Sequence, residues 1–258
     1  MTVGRLSIKA FQTVTRSPLG SVPRRRFEEK FVARLLSLTA NLSQQLVGLS
    51  REMTGTVVRQ RLGEFIDLAN GSAVGSREDF ISLVESTVRR FNQATAEHQD
   101  RVRENCVWAA DSIGLPNQTR AALVLAARFH DFGKLGWPLI MKEVRIGRSN
   151  PWREIIKTHL LISLHFMEEI EWLGAAAQIV YFNHAHDGYP VDCDPTKMPL
   201  EAQLLSALDS VDGMIHPRGY RRYQGLNFDY TLRKIRERGY DPQVYALVCE
   251  IIQQYASQ

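Results

Sequence analysis

The sequence predicts an all-α fold. Apolar residues recur at steps of three and four along successive segments, which is the periodicity of helices with one buried face. The strict alternation of apolar and polar residues that marks a strand is absent from the sequence. Turn-forming stretches separate the periodic segments, for example Asn70-Gly71-Ser72 and Gly114-Leu115-Pro116. We therefore expect helices joined by turns, with no internal repeat.

The N-terminal part is predicted to contain an arm and two helices. Residues 1–26 end in a basic cluster and lack the apolar stretch of a signal peptide, so we expect a flexible basic arm. Residues 27–85 are expected to form a helical region of unknown role, with an apolar stripe from Phe31 to Leu49 and a second helix over about residues 56–69. Three interpretations of the stripe stay open: packing against the rest of the chain, which is the commonest outcome, a sensor, or a dimerisation helix that would make a homodimer.

A long helix is predicted to follow Ser76. Ser76 and Asp79 form a helix-capping pattern, and an apolar stripe that includes His98 continues to Ala109. The next helix carries apolar residues over 121–129 and ends at the His130-Asp131 pair. Further helices are predicted over about residues 152–171, 174–184, 199–214, 227–237 and 241–256.

Composition restricts the classes of function. The formal net charge of +4 is mild and the basic residues are spread along the chain, which argues against a nucleic-acid polymer as partner and allows a small anionic substrate. Cys106, Cys193 and Cys249 lie far apart without a CxxC pair, as expected for reduced thiols in a cytoplasmic protein. No apolar run reaches the roughly 20 residues that cross a bilayer, so no membrane association is expected.

The strongest local motif is His130-Asp131-Phe132-Gly133-Lys134. A neighbouring His and Asp can bind one metal ion through nitrogen and oxygen, and the carboxylate can bridge to a second ion. Gly133 is expected to allow a sharp turn of the backbone, and Lys134 to place a cation where a phosphate oxygen would lie. An isolated His-Asp pair is common by chance, so the argument depends on the motifs that accompany it.

Further motifs accompany this pair in a fixed order: His98, His159, the segment 183–190 with His184 and His186, the segment 208–213 with Asp209 and Asp212, and Arg218-Gly219-Tyr220-Arg221. Over roughly residues 90–258 the chain resembles the HD-GYP family of the HD superfamily of metal-dependent phosphohydrolases. The HDxGK motif of that family is matched in full by residues 130–134, and its GYP signature by Gly188-Tyr189-Pro190. The resemblance implies an HD-superfamily helical bundle of the HD-GYP type, which we assign to residues 86–258.

The resemblance also implies roles for individual residues. The positions that match metal ligands are His98, His130, Asp131, His159, His184 and Asp209. Lys134, Arg218 and Arg221 match positions that hold the substrate phosphates, and Tyr220 lies in the same segment. The family normally has two adjacent histidines, a glutamate and a longer loop before GYP. Because several of those residues are missing here, His184 matches either histidine of the pair, and His186 is a second candidate ligand.

The implied function is that of a metal-dependent phosphodiesterase acting on a cyclic dinucleotide, with cyclic di-GMP as the leading candidate. The resemblance favours two divalent transition-metal ions, Fe or Mn, rather than three, because Ala94 stands where some members place an acidic ligand. Asp131 would bridge the ions, their shared hydroxide would attack phosphorus, and Lys134 would stabilise the developing charge. Two alternatives stay open: an HD phosphohydrolase for another nucleotide, and a degenerate domain that binds a cyclic dinucleotide or a partner without turnover.

Overall fold

A computed structural model describes residues 22–49, 51–71, 76–137, 153–190, 192–216 and 228–257. No strand occurs in these ranges, so the all-α prediction is confirmed for them. The α-helices are α1 (Val22–Leu46), α2 (Arg51–Asn70), α3 (Arg77–Phe91), α4 (Gln93–Ser112), α5 (Asn117–Phe129), α6 (Arg153–Glu168), α7 (Gly174–Tyr181), α8 (Leu200–Ile215), α9 (Phe228–Glu237) and α10 (Pro242–Ala256). Short 3-10 turns lie at Phe132–Gly136, Glu171–Leu173, Ala185–Asp187 and Pro195–Lys197.

The single long helix predicted after Ser76 is wrong, because the chain breaks at Asn92 into α3 and α4. Asn92 adopts an extended conformation (φ −155°, ψ 103°), and its side-chain oxygen accepts a hydrogen bond from the Thr95 amide at 3.1 Å. Asparagine is among the preferred residues at this capping position because it satisfies an otherwise unpaired amide of the first turn. The predicted cap at Ser76 is confirmed: its hydroxyl accepts from the Asp79 amide at 3.1 Å.

The N-terminal helices pack onto the rest of the described chain. Helix α1 begins at Val22, so it includes the basic cluster that was predicted to lie in the arm; Pro23 in its first turn is tolerated because the first amides of a helix have no intrahelical partner. The rings of Phe31 and Phe65 meet edge to face at 4.6 Å between α1 and α2. Helix α1 then contacts the turn Phe132–Gly136, and α2 contacts α6. The stripe on α1 is therefore buried within the chain.

The remaining helices surround the residues with candidate functions. Helix α4 packs between α5 and α8, and α7 contacts α5, α6 and α8. Buried apolar residues of all these helices form one continuous core. Among the described helices, none has both the length and the apolar character that a membrane span requires.

Candidate metal centre

Six of the predicted ligands meet at the centre of the helical bundle. His98 lies on α4, His159 on α6 and Asp209 on α8. The His130-Asp131 pair follows the last residue of α5, and His184 precedes the turn Ala185–Asp187. All six are buried except His184, which is half-buried.

His98, His130 and Asp209 form the inner group of this centre. The Nε2 atom of His98 lies 3.0 Å from Oδ1 of Asp209 and 3.4 Å from Nε2 of His130. One potential ligand atom from each residue lies within 4.8 Å of the others, which is close enough for a shared ion. The inner group therefore offers two nitrogens and a carboxylate oxygen in a space closed to solvent.

His159 and His184 form the outer group. Their Nε2 atoms lie 3.2 Å apart, and the ring of His184 stacks on Tyr189 with 4.7 Å between the centroids. His184 lies closer to solvent than the residues of the inner group do.

Asp131 lies between the two groups and offers one oxygen to each. Its Oδ2 atom is 3.5 Å from Nε2 of His98 and 3.4 Å from Nε2 of His130. Its Oδ1 atom is 3.5 Å from Nε2 of His159. This is the placement that a carboxylate bridging two ions would have.

The Nδ1 atom of each of these four histidines has a partner that fixes the tautomer of the ring. The Nδ1 atoms of His130 and His159 donate to the backbone oxygens of the residues three positions earlier, at 2.9 Å for His130. His98 uses Nδ1 to contact Asp212 at 2.5 Å, and His184 uses Nδ1 to contact Asp187 at 3.2 Å. Because carbonyl and carboxylate oxygens accept, each Nδ1 carries a proton, and Nε2 carries a lone pair when the ring is neutral.

Four Nε2 lone pairs and the carboxylates of Asp131 and Asp209 thus converge on one site. Lone pairs that face each other repel, and buried carboxylates require compensation. Lys134 donates to Asp131, and the Asn183 amide donates to Asp209 at 3.1 Å, which offsets part of the negative charge. Divalent cations would compensate the whole set, and mixed nitrogen and oxygen donors suit Fe, Mn, Co, Ni or Zn better than Ca. The residues present therefore fit a metal centre.

The pKa values of His159 and Asp131 agree with this protonation pattern, whereas the pKa of His130 is shifted toward the protonated ring in the absence of metal. Burial lowers the pKa of His159 to about 3, so its ring is neutral near pH 7. Burial would raise the pKa of Asp131, but Lys134 and the neighbouring histidines outweigh it and hold the pKa well below its usual value. Burial would lower the pKa of His130, but Asp131 and Asp209 outweigh it and raise the pKa. A neutral histidine and an ionised aspartate are the forms that bind metal ions.

Gly133 has a different role from the one predicted. Its φ angle lies outside the left-handed region, so the turn does not require glycine. A Cβ atom at this position would lie 2.0 Å from the backbone oxygen of His159. The Gly133 amide also donates to the hydroxyl of Ser163 at 2.8 Å. Glycine is therefore required because the turn carrying Lys134 passes directly against α6, which brings Asp131 next to His159.

The other predicted site residues are placed as follows. Lys134 is buried and holds its ammonium group on Asp131, 5.5 Å from the centre of the Trp137 ring. The ring of His186 packs edge to face against Tyr240, with 4.7 Å between the centroids, and not among the histidines that meet at Asp131. Arg218, Tyr220 and Arg221 lie outside the described residues.

Several residues that support the ligands were not predicted from the sequence. Asn183 directly precedes His184, and its side-chain amide donates to Asp209 at 3.1 Å. Arg101 donates to Asp212 through Nε at 2.6 Å, and Arg238 donates to Asp187 at 2.9 Å. These arginines are distant in sequence from the carboxylates that they contact, so no local pattern marks them.

Comparison with known proteins identifies the family of the chain. The family model described as "HD domain" matches residues 80–244, well over half of the chain. The chain is 24% identical over 186 residues to the 3'3'-cGAMP-specific phosphodiesterase 1 of Vibrio cholerae. The aligned region covers 67% of this chain and 41% of that protein. It is 24% identical over 180 residues to a cyclic di-GMP phosphodiesterase of Thermotoga maritima, covering 65% of this chain and 48% of that protein.

A third relative is a cyclic di-GMP phosphodiesterase response regulator of Xanthomonas campestris, 22% identical over 187 residues, covering 68% of this chain and 48% of that protein. The matched region thus spans less than half of the length of each of these relatives. The chain belongs to the HD domain family, and its motifs together with these relatives support membership of the HD-GYP branch.

Proposed function

We propose that this chain is a metal-dependent phosphodiesterase that hydrolyses a cyclic dinucleotide, with cyclic di-GMP as the leading candidate. The observation that carries the proposal is the convergence of four Nε2 lone pairs and two carboxylates on one buried site. The names of the relatives support the substrate class, since all three are phosphodiesterases of cyclic dinucleotides.

The two groups suggest a centre for two ions. His98, His130 and Asp209 would hold the inner ion, His159 and His184 the outer ion, and Asp131 would contact both. We favour Fe or Mn among the metals that suit such mixed donors. When bound, such ions would supply Lewis-acid activation of a water nucleophile and of the phosphoryl group.

The protein residues would orient the substrate around this centre. Lys134 lies beside Asp131, so its ammonium group is a cationic donor for a phosphoryl oxygen at the site. We propose that Arg218 and Arg221 hold a phosphate of the dinucleotide, because a guanidinium group can bind two phosphate oxygens at once. The substrate would approach from the side of the outer group, where His184 is half-buried and Asp187 is exposed.

The direct test is product analysis with the purified 258-residue chain. Protein loaded with Mn²⁺, or with Fe²⁺ without oxygen, is incubated with cyclic di-GMP and separately with 3'3'-cGAMP, and the products are separated by chromatography. We expect a linear dinucleotide or mononucleotides from at least one substrate. The matched control is His165→Gln, which removes a histidine of α6 that contacts Glu168, outside the proposed centre, and should retain activity.

Two other outcomes would contradict the proposal. Tight binding of both cyclic dinucleotides without product, with either metal, would indicate an inert binding domain. Cleavage of a different nucleotide, with neither binding nor turnover of cyclic dinucleotides, would indicate a phosphohydrolase of another specificity.

A further inference from the structure

A residue from the C-terminal part of the chain reaches the outer group. Arg238, which follows α9, donates through Nη2 to Oδ1 of Asp187 at 2.9 Å. Its Nη1 atom donates to the Ser210 hydroxyl at 2.5 Å. The other oxygen of Asp187, Oδ2, lies 3.2 Å from Nδ1 of His184. Arg238, Asp187 and His184 therefore form a continuous chain of contacts that ends at the proposed ligand.

The inner group contains a parallel chain. Arg101 donates through Nε to Oδ1 of Asp212 at 2.6 Å, and Oδ2 of Asp212 contacts Nδ1 of His98 at 2.5 Å. In both chains a carboxylate joins an arginine to a histidine, although Arg101 also donates through Nη2 to Oδ2 of Asp212 at 3.1 Å, whereas Arg238 contacts only Oδ1 of Asp187. The remaining histidine of each group is instead oriented by a backbone oxygen of its own chain segment. In each group, therefore, one histidine is oriented by a carboxylate and an arginine and the other by a backbone oxygen, so that both Nε2 atoms point toward the centre.

We propose that Arg238 and Asp187 are positioning residues that fix the orientation and tautomer of His184, and that Arg238 thereby sets the affinity of the outer ion. This inference rests on the proposed two-ion centre. A carboxylate on the outer nitrogen of a metal-binding histidine keeps the proton there and leaves the inner nitrogen free to bind.

His184 needs such support more than the other three histidines do. It lies outside an α-helix, at the start of the turn Ala185–Asp187, and it is half-buried. Asp187 is itself 41% exposed at its side chain. Without a second contact, Asp187 could rotate into solvent and release the imidazole. Arg238, with a side chain only 23% exposed, ties Asp187 to α8 through Ser210.

The test compares Mn²⁺ binding to the 258-residue chain and its variants by equilibrium dialysis. In Arg238→Gln and Asp187→Ala, the weaker Kd for Mn²⁺ should rise about 10- to 100-fold, as is typical when the partner of a metal-binding histidine is removed, and the tighter Kd should stay unchanged. Arg238→Lys retains the charge but not the paired geometry, so its weaker Kd should lie between those of the wild type and of Arg238→Gln. The matched control is Arg236→Gln, because Arg236 lies two residues earlier, at the end of α9, and contacts Tyr245 instead.

A second readout does not depend on metal. The ring nitrogens of His184 are followed by ¹⁵N NMR in the metal-free protein, with the signals assigned by their loss in His184→Gln. The wild type should show a proton held on Nδ1, and Arg238→Gln should show a mixture of tautomers. Unchanged ring signals and an unchanged weaker Kd in Arg238→Gln would overturn the inference. A wild type that binds fewer than two ions, but whose His184 signals respond to Arg238→Gln, would instead overturn the two-ion function and leave the positioning role standing.

Discussion

The inner and outer groups of the proposed centre each contain a histidine that is oriented by a carboxylate and an arginine, but they differ in how rigidly the protein holds that carboxylate. Asp212, which orients His98, is fully buried and is contacted by Arg101, His98 and His216. Asp187, which orients His184, is exposed and is contacted by His184 and Arg238. A buried carboxylate with several donors moves less than an exposed one with few, because solvent competes for the exposed contacts.

This difference suggests that the two groups bind their ions with different affinities. The inner group should hold its ion tightly in any conformation of the protein, while the outer group should bind more weakly and respond to its surroundings. The shortened segment 183–190, which departs from the resembled family, carries His184 of the outer group. Variation of metal content and turnover among similar proteins would then be expected to arise at the outer group.

The largest effect should come from Asp131→Ala, because Asp131 is the one residue that we assign to both ions. We expect loss of both bound ions and hydrolysis at the level of the solvent background. Metal analysis of the purified variant, together with product chromatography, measures both losses. Activity within a fewfold of the wild type would show that the two groups do not depend on a shared carboxylate.

The second-largest effect should come from Gly133→Ala, which would disturb the contact between the turn Phe132–Gly136 and α6. The added methyl group would lie 2.0 Å from the backbone oxygen of His159, so either the turn or α6 must move. We expect a loss of about 3 kcal/mol in the free energy of unfolding, together with loss of the outer ion. Urea unfolding measures the first and Mn²⁺ binding the second.

Gly63→Ala is the matched control for this substitution. Gly63 lies within α2, and a Cβ atom there would meet nothing within 4 Å. Alanine should therefore leave stability unchanged or raise it by about 0.5–1 kcal/mol, since glycine is unfavourable inside a helix. Equal behaviour of the two variants would contradict a steric role for Gly133.

Asp212→Asn and Asp187→Asn test the inner and outer groups separately. Asp212→Asn leaves buried donors without their charged partner and should cost roughly 2–4 kcal/mol of unfolding free energy. Asp187→Asn should cost less than about 1 kcal/mol, because Asp187 is exposed. The first should weaken mainly the tighter Mn²⁺ site and the second only the weaker one. Asp111→Asn, which alters an exposed pair with Arg120, serves as control.

The smallest effects should appear in the pH dependence of the metal-free protein, and they have opposite signs in the two groups. The pKa of His159 is lowered to about 3 by burial, so its contribution to stability is fully present above about pH 6.5 and is lost as the pH falls toward 3. The pKa of His130 is raised, mainly by Asp131 against the effect of burial. Its contribution is fully present below about pH 6.5 and is lost as the pH rises through the folded-state pKa.

Urea unfolding at pH 5.0, 6.5 and 8.0 separates these contributions when chelators are present. His159→Gln should reduce the loss of stability between pH 6.5 and 5.0, by at most about 1.4 kcal/mol per pH unit for one proton. His130→Gln should reduce the loss between pH 6.5 and 8.0. Identical pH profiles for both variants would argue against the protonation states that we assign.

Sequence patterns predicted most of the helices because helical periodicity is a local property, whereas the set of proposed ligands came from the resemblance to the HD-GYP family. Helical periodicity marked most elements, and the Ser76 cap was readable from two nearby residues. The break at Asn92 was missed because the apolar stripe runs through it, although asparagine is a common cap.

The supporting contacts could not be predicted because they join residues that only the folded chain brings together. Arg238 is 51 positions from Asp187, and Arg101 is 111 positions from Asp212. Gly133 was interpreted as a turn residue because its true neighbour, the backbone of His159, belongs to another helix. Periodicity reports which face of a helix is buried, but not which side chain of a distant segment it meets.

The stoichiometry and coupling of bound Mn²⁺ test the central claim most directly. The metal-free 258-residue chain is titrated with Mn²⁺ while binding is followed by equilibrium dialysis and by electron paramagnetic resonance. A two-ion centre that shares Asp131 predicts two bound ions of unequal affinity, magnetic coupling in the spectrum of the doubly loaded protein, and loss of both ions after Asp131→Ala. A single ion, three fully bound ions, or two ions without magnetic coupling would contradict it.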